Sequence, residues 1–179
     1  MNTKRMTYIA LFTALICICA PISIPLPMSP VALTLGTFAL YLAAYILEPK
    51  DALVATLLYL LLGAIGLPVF SGYAGGISRF VSAGGGYLVG YLVLVYGSSV
   101  AIHRFPENRI LQLTGMFLST CVTYMMGTFW MAKTMNTGFI ATLPAGTFVF
   151  LPLDFAKMWI VCIIGGKIKK QVYYMKNEG

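Results

Sequence analysis

In the stretch "FVFLPLDFAKMWIVCIIGG", Asp154 and Lys157 stand three residues apart at the leading edge of a segment apolar enough for lipid. On a helix that spacing puts both side chains on roughly one face. They can meet each other, or grip one object from two sides. The carboxylate accepts hydrogen bonds and the ammonium donates up to three. A charge in a membrane is unfavourable, by on the order of 2.5–3.5 kcal/mol at a helix centre and less near the interface, so function is its default reading. A plainer reading stands beside it. With Pro152 at the first helical position, Asp154 falls in the first turn, where a carboxylate complements the helix dipole and Lys157 is its partner. The two readings are compatible.

A second group of candidates lies in "GLPVFSGYAGGISRFVSAGGGYLVGY". Its glycines let backbone approach a ligand closely, Phe70, Tyr73, Phe80 and Tyr87 offer ring surfaces, and Ser71, Ser78 and Ser82 offer hydroxyls. That combination suits a lid over a small, flat, partly polar molecule. Gly72, Tyr73 and Tyr87 are its candidate contacts, joined by Tyr41 of the preceding "TFALYLAAYIL". Gly86 and Gly90 form a small-xxx-small pair and read instead as helix packing. Arg79 is the one fixed positive charge in the stretch; its guanidinium suits a carboxylate in a two-pronged bond and equally suits a headgroup anchor. Lys133 and Trp130 read as interfacial anchors, with a ring stacked on the ligand as the sharper alternative for Trp130. In "YIALFTALICICA", Ala10 and Ala14 stand four apart on one face, which permits close approach of a helix from a partner or from the same bundle.

Other chemistry is excluded by what the chain lacks. No G-x-x-x-x-G-K-[ST] pattern occurs, so no Walker site hydrolyses ATP. Cys17, Cys19, Cys121 and Cys162 show no CxxC pair and no histidine companions, and read as buried small hydrophobes. His103, the single histidine, reads as an interfacial residue. With no second carboxylate and no activated Ser or Cys beside Asp154 and Lys157, the pattern is that of a binder and not an enzyme. It calls for no cofactor and no metal.

The elements that must position these residues follow from composition. Of 179 residues, 59% are hydrophobic and 9% charged, with a mean hydropathy of +0.86; soluble domains carry roughly one quarter charged residues. The expected fold class is an all-α integral membrane protein, a single domain over 1–179. Six apolar runs centre near Leu15, Leu40, Leu58, Leu94, Val122 and Ile160, giving a six transmembrane helix bundle with a glycine-rich extracytoplasmic loop between helices 3 and 4. The start "MNTKRMTYIALFTALICICAPIS" has the parts of a signal peptide, but its run is long enough to span and reads as the first helix. A cytoplasmic N-terminus puts Lys4, Arg5, Lys50, Arg104, Arg109, Lys167, Lys169, Lys170 and Lys176 inside, as the positive-inside rule requires. Glu48, Asp51, Glu107 and Glu178 go with them, the C-terminus is cytoplasmic too, and the outer half keeps only Arg79, Lys133, Asp154 and Lys157. A net charge of +7 sorted in this way is membrane topology and excludes a nucleic-acid face.

Three segments in this order, "APISIPLPMSPVALTLGTFALYLAAYIL", "LLYLLLGAIGLPVFSGYAGGISRFVSAGGGYLVGY" and "FLPLDFAKM", resemble the biotin-specific substrate-binding (S) component of energy-coupling factor (ECF) transporters, the BioY family. The resemblance implies a plasma-membrane protein that captures biotin on its extracytoplasmic side, partnered by an ECF transmembrane subunit and two ATPase subunits. It implies a ligand role for Asp154 and Lys157, with Asp154 accepting from a ureido N–H and Lys157 donating to a carbonyl or carboxylate. It also implies docking on the transmembrane subunit through Ala10 and Ala14. Two positions depart from the family's common pattern: Gly36 in "TLGT" replaces a glutamine, and Leu153 before Asp154 replaces a glycine.

Overall fold

A computed structural model describes residues 3–27 and 29–177, with side chains described through residue 168. The side chains of Lys169, Lys170 and Lys176, and Glu178 altogether, lie outside the described residues. The long helices are α1 (Thr3–Cys19), α2 (Gly36–Ile46), α3 (Pro49–Ala64), α5 (Gly85–Arg104), α6 (Arg109–Thr134) and α8 (Leu151–Asn177). Two short helices, α4 (Ser78–Val81) and α7 (Phe139–Leu143), lie between them, and a π-helical turn, Pro144–Phe148, follows α7. Each apolar run centred in the sequence falls inside one long helix. Three helical runs, Gly85–Arg104, Arg109–Thr134 and Phe139–Ile168, are long and apolar enough to cross a membrane. The protein is thus a mostly helical membrane protein.

Local chemistry sets the helix ends. Pro49 opens α3 with Asp51 in the first turn, and the Asn108 side chain caps α6 by accepting from the Ile110 and Leu111 amides. Asp51 also receives the Arg5 guanidinium at 2.5 Å, pinning the start of α1 to the start of α3. Buried Gln112 accepts from the Tyr45 hydroxyl at 2.9 Å and donates to the carbonyls of Phe105 and Pro106, which closes the α5–α6 turn onto α2. Such buried amides persist because every polar atom finds a partner.

At the opposite end the chain departs from pure helix. The "PLPMSP" break is flanked by a two-stranded antiparallel hairpin, β1 (Ser23–Ile24) with β2 (Leu33–Thr34). The glycine-rich stretch between α3 and α5 is no open loop: it holds a Phe70↔Ala74 bridge and the turn of α4. Phe70 is 2% exposed, packed edge-to-face between Tyr59 and Phe80 and seated against Gly63. Gly72 and Gly76 take positive φ of 69° and 94°, where a side chain would be strained. Gly86 and Gly90 seat α5 on α6, against Trp130 and Thr123, which is the helix packing expected of them. A Cβ on Gly85 would collide with the Phe80 backbone carbonyl, which cannot rotate aside. Gly85→Ala is therefore expected to destabilise the protein by about 2 kcal/mol, read as a lower melting temperature in detergent. Gly138→Ala, where a Cβ meets nothing within 4 Å, serves as the neutral control.

Candidate functional site

Asp154 and Lys157 occupy the first two turns of α8, with Pro152 as its second residue. The Asp154 side chain is fully buried, and its environment accounts for how a carboxylate survives there. Its Oδ1 accepts from the Lys157 ammonium at 2.8 Å and from the Thr37 hydroxyl at 3.1 Å. Its Oδ2 accepts from the Tyr124 hydroxyl. A carboxylate offers about four lone-pair sites; three are taken, and one on Oδ2 is left for an incoming donor.

Lys157 is more fully engaged. Its three N–H groups go to the Thr34 carbonyl, the Thr37 hydroxyl and Asp154 Oδ1, each at 2.8 Å. The pair thus draws together α8, the first turn of α2, strand β2 and the middle of α6. Rings enclose it: Tyr124 stacks on Phe150 with centroids 5.9 Å apart and planes 20° apart, and Tyr87 meets Tyr124 edge-on at 5.9 Å. The Tyr87 hydroxyl donates to the Gly146 carbonyl at 2.7 Å and pairs with Thr128, whose hydroxyl pairs with Thr147. That chain fastens the π-helical turn immediately ahead of α8.

Two adjoining spaces open near the pair. The inner one, about 20 Å³, is lined by Asp154, Thr37, Tyr124 and Phe150 among others. The outer one, about 440 Å³, is lined by the hairpin, by Phe70, Ser71, Gly72, Arg79 and Ser82 of the glycine-rich segment, and by Tyr87 and Tyr91 of α5. Val31, Ala32, Thr34, Tyr87 and Tyr91 line both. The outer volume lies within the usual range for small-molecule sites, 300–1,000 Å³. An apolar enclosure with a buried, ion-paired carboxylate at its inner end can hold a small molecule with a polar head and an apolar body. Among the described residues no group of His, Cys, Asp or Glu is placed to bind a metal.

Of the residues singled out in the sequence, Asp154, Tyr87, Gly72 and Arg79 line these spaces and Lys157 stands behind Asp154. The other three take different positions. Tyr41 is fully buried, pairs with the Thr120 hydroxyl at 2.8 Å and lines neither space. Tyr73 is 70% exposed at a positive-φ turn position. Trp130 donates its indole N–H to the Ser82 carbonyl at 3.0 Å, tying α6 to the end of α4, and Lys133 stacks on Phe129. Sequence reasoning did not single out Tyr91, Tyr124 and Phe150. Ala10 and Ala14 are both exposed on α1, in line with exposed Met6, Leu11 and Ile18.

Comparisons with known proteins place the chain in a family. The BioY family model matches residues 1–174. A probable biotin transporter BioY of Pyrococcus horikoshii is 31% identical over 94% of this chain and 98% of its own. The biotin transporter BioY2 of Lactococcus lactis subsp. cremoris is 33% identical over 92% of this chain and 90% of its own. The crystal structure of an S-component for biotin from an ECF-type ABC transporter superposes with a TM-score of 0.88 at 26% identity, covering 95% of each chain.

Proposed function

The chain belongs to the BioY family, and from that premise we propose that it is the membrane-embedded S component that captures biotin for uptake by an ATP-driven ECF module. It is a transporter subunit and not an enzyme, and it works with an ECF transmembrane subunit and ATPase subunits, two of the latter by the family pattern. The observation that carries the reading is the Asp154–Lys157 pair, whose buried carboxylate lines a small inner space that shares five lining residues with a cavity of about 440 Å³. Biotin carries two ureido N–H donors, a ureido carbonyl, an apolar thioether ring and a valerate carboxylate. The free lone pair of Asp154 Oδ2 takes a ureido N–H, Lys157 serves the ureido carbonyl, and Tyr87, Tyr91, Tyr124 and Phe150 surround the apolar ring. The valerate extends into the outer cavity toward Arg79 and past Gly72.

The finer topology belongs to the same reading. One domain of six spans keeps both termini in the cytoplasm, and the glycine-rich segment between the third and fourth spans covers the cavity from outside. Exposed Ala10 and Ala14 of the first span form the face that meets the ECF transmembrane subunit. Uptake of labelled biotin by cells lacking their own biotin transport tests this function. Cells expressing the chain with an ECF module are expected to accumulate biotin, and excess pantothenate or riboflavin to leave that uptake unchanged. Inhibition by either vitamin would reassign the ligand.

A smaller effect is expected at Arg79, which is exposed on the cavity wall. Arg79→Gln should weaken biotin binding about three- to tenfold, as expected for an exposed charge-assisted contact. It should leave binding of biotin amide, which lacks the negative charge, nearly unchanged. Competition titrations with the two ligands measure the difference.

A further inference from the structure

Lys157 has no donor to spare. An ammonium has three N–H groups and no acceptor, and all three are engaged at 2.8 Å. Two of the partners, Thr37 and Asp154, sit on helices α2 and α8. The third is the main-chain carbonyl of Thr34, in strand β2 of the hairpin. The hairpin residues Val31, Ala32 and Thr34 line both the outer cavity and the inner space. The inner space, about 20 Å³, has room for little more than one water. While these walls hold their position, the inner space beside Asp154 is too small to take a polar head larger than a water.

We propose that the Thr34 carbonyl is a built-in stand-in for the ligand's acceptor: it latches the hairpin over the inner space and is the partner that Lys157 surrenders when a ligand enters. The role of the latch in binding rests on the Asp154–Lys157 pair being the ligand site. The three bonds of Lys157 differ in what their loss does. Releasing Asp154 separates a buried carboxylate from its half-buried ammonium and leaves it uncompensated, which is strongly unfavourable. Thr37 is 7% exposed in the first turn of α2, and its hydroxyl bridges to Asp154 at 3.1 Å, with a longer contact of 3.4 Å to the Thr34 carbonyl that leaves Lys157 as that carbonyl's one charge-assisted partner among the described residues. The Thr34 carbonyl is neutral and belongs to a two-residue strand whose partner is the equally short β1. Two-stranded ribbons are marginal by themselves. The base of the hairpin keeps other ties, Leu35 N–H to the Ile22 carbonyl at 3.0 Å and Gly72 N–H to the Pro21 carbonyl at 3.1 Å. Those permit the strand to lift without leaving the fold. Ligand occupancy and hairpin closure are thereby coupled through one ammonium.

Amide hydrogen exchange on the full-length, ligand-free protein in detergent tests the latch with no ligand added, so its outcome is separate from whether biotin binds. The readout is protection of residues 20–24 and 33–36, with residues 94–123 of α5 and α6 as an internal control of folding. Lys157→Met is expected to speed hairpin exchange about tenfold or more, the loss of one charge-assisted bond. The double variant Asp154→Asn with Lys157→Met, which carries no unpaired buried charge, should do the same. Asp154→Asn alone leaves Lys157 bonded to Thr34 and should stay within about threefold of wild type. Hairpin exchange unchanged in the double variant, or accelerated equally by Asp154→Asn alone, would overturn the latch.

Discussion

Lys157→Met is expected to destabilise the protein by about 3 kcal/mol, and adding Asp154→Asn is expected to recover most of that loss. Removing one member of a buried ion pair is strongly destabilising, by about 3–5 kcal/mol, because the other charge remains without compensation. Asp154 is fully buried, and its lysine partner supplies the compensation. The lower end of the range applies because Tyr124 and Thr37 still donate to the stranded carboxylate. Asp154→Asn alone should lose about 1–3 kcal/mol, since Lys157 keeps two neutral acceptors. The two losses are then far from additive, as expected for groups in direct contact. Melting temperatures of the four proteins in one detergent measure the coupling; losses that simply add would mean that the pair does not hold together.

The second large effect separates capture from transport. Leucines at both Ala10 and Ala14 should leave biotin binding by the isolated chain unchanged, because both positions are exposed and neither lines the cavity. Uptake in cells with the ECF module should fall roughly ten- to a hundredfold, as overpacking a close helix contact by 1–3 kcal/mol predicts. Transport assays paired with binding assays on the same variant read the two effects apart. Equal loss of both would place Ala10 and Ala14 in the bundle interior instead of at a docking face.

What could be read in the chain before its structure follows the range of the physics involved. Helices were legible because each apolar run is continuous and ends at Pro, Gly or charge. The three-residue spacing of Asp154 and Lys157 was enough to put them on one face, and they do meet. Gly86 and Gly90 were legible as packing because four-residue spacing places both against the same neighbour. Partners brought from afar were not legible. Thr37 lies 117 residues from Asp154, and Tyr124, one of eleven tyrosines, sits in a long apolar helix with no local signal pointing inward. The hairpin was hidden because strands of two residues carry no alternation to detect. Tyr41 and Trp130 show the converse limit: an amphipathic ring suits a ligand wall, but Thr120 and the Ser82 carbonyl claim their polar ends. Arg5 and Asp51 were both assigned to the cytoplasmic rim by charge sorting, which counts charges and does not pair them.

The most direct test of the account is an equilibrium titration of the purified protein with biotin, alongside Asp154→Asn and the Asp154→Asn, Lys157→Met double variant. Saturable binding by wild type, weakened at least about a hundredfold in the double variant, is the predicted result, since two charge-assisted contacts of roughly 1.5–3 kcal/mol each are lost. A folded double variant that binds biotin as tightly as wild type, or a folded wild type that binds none, would contradict it.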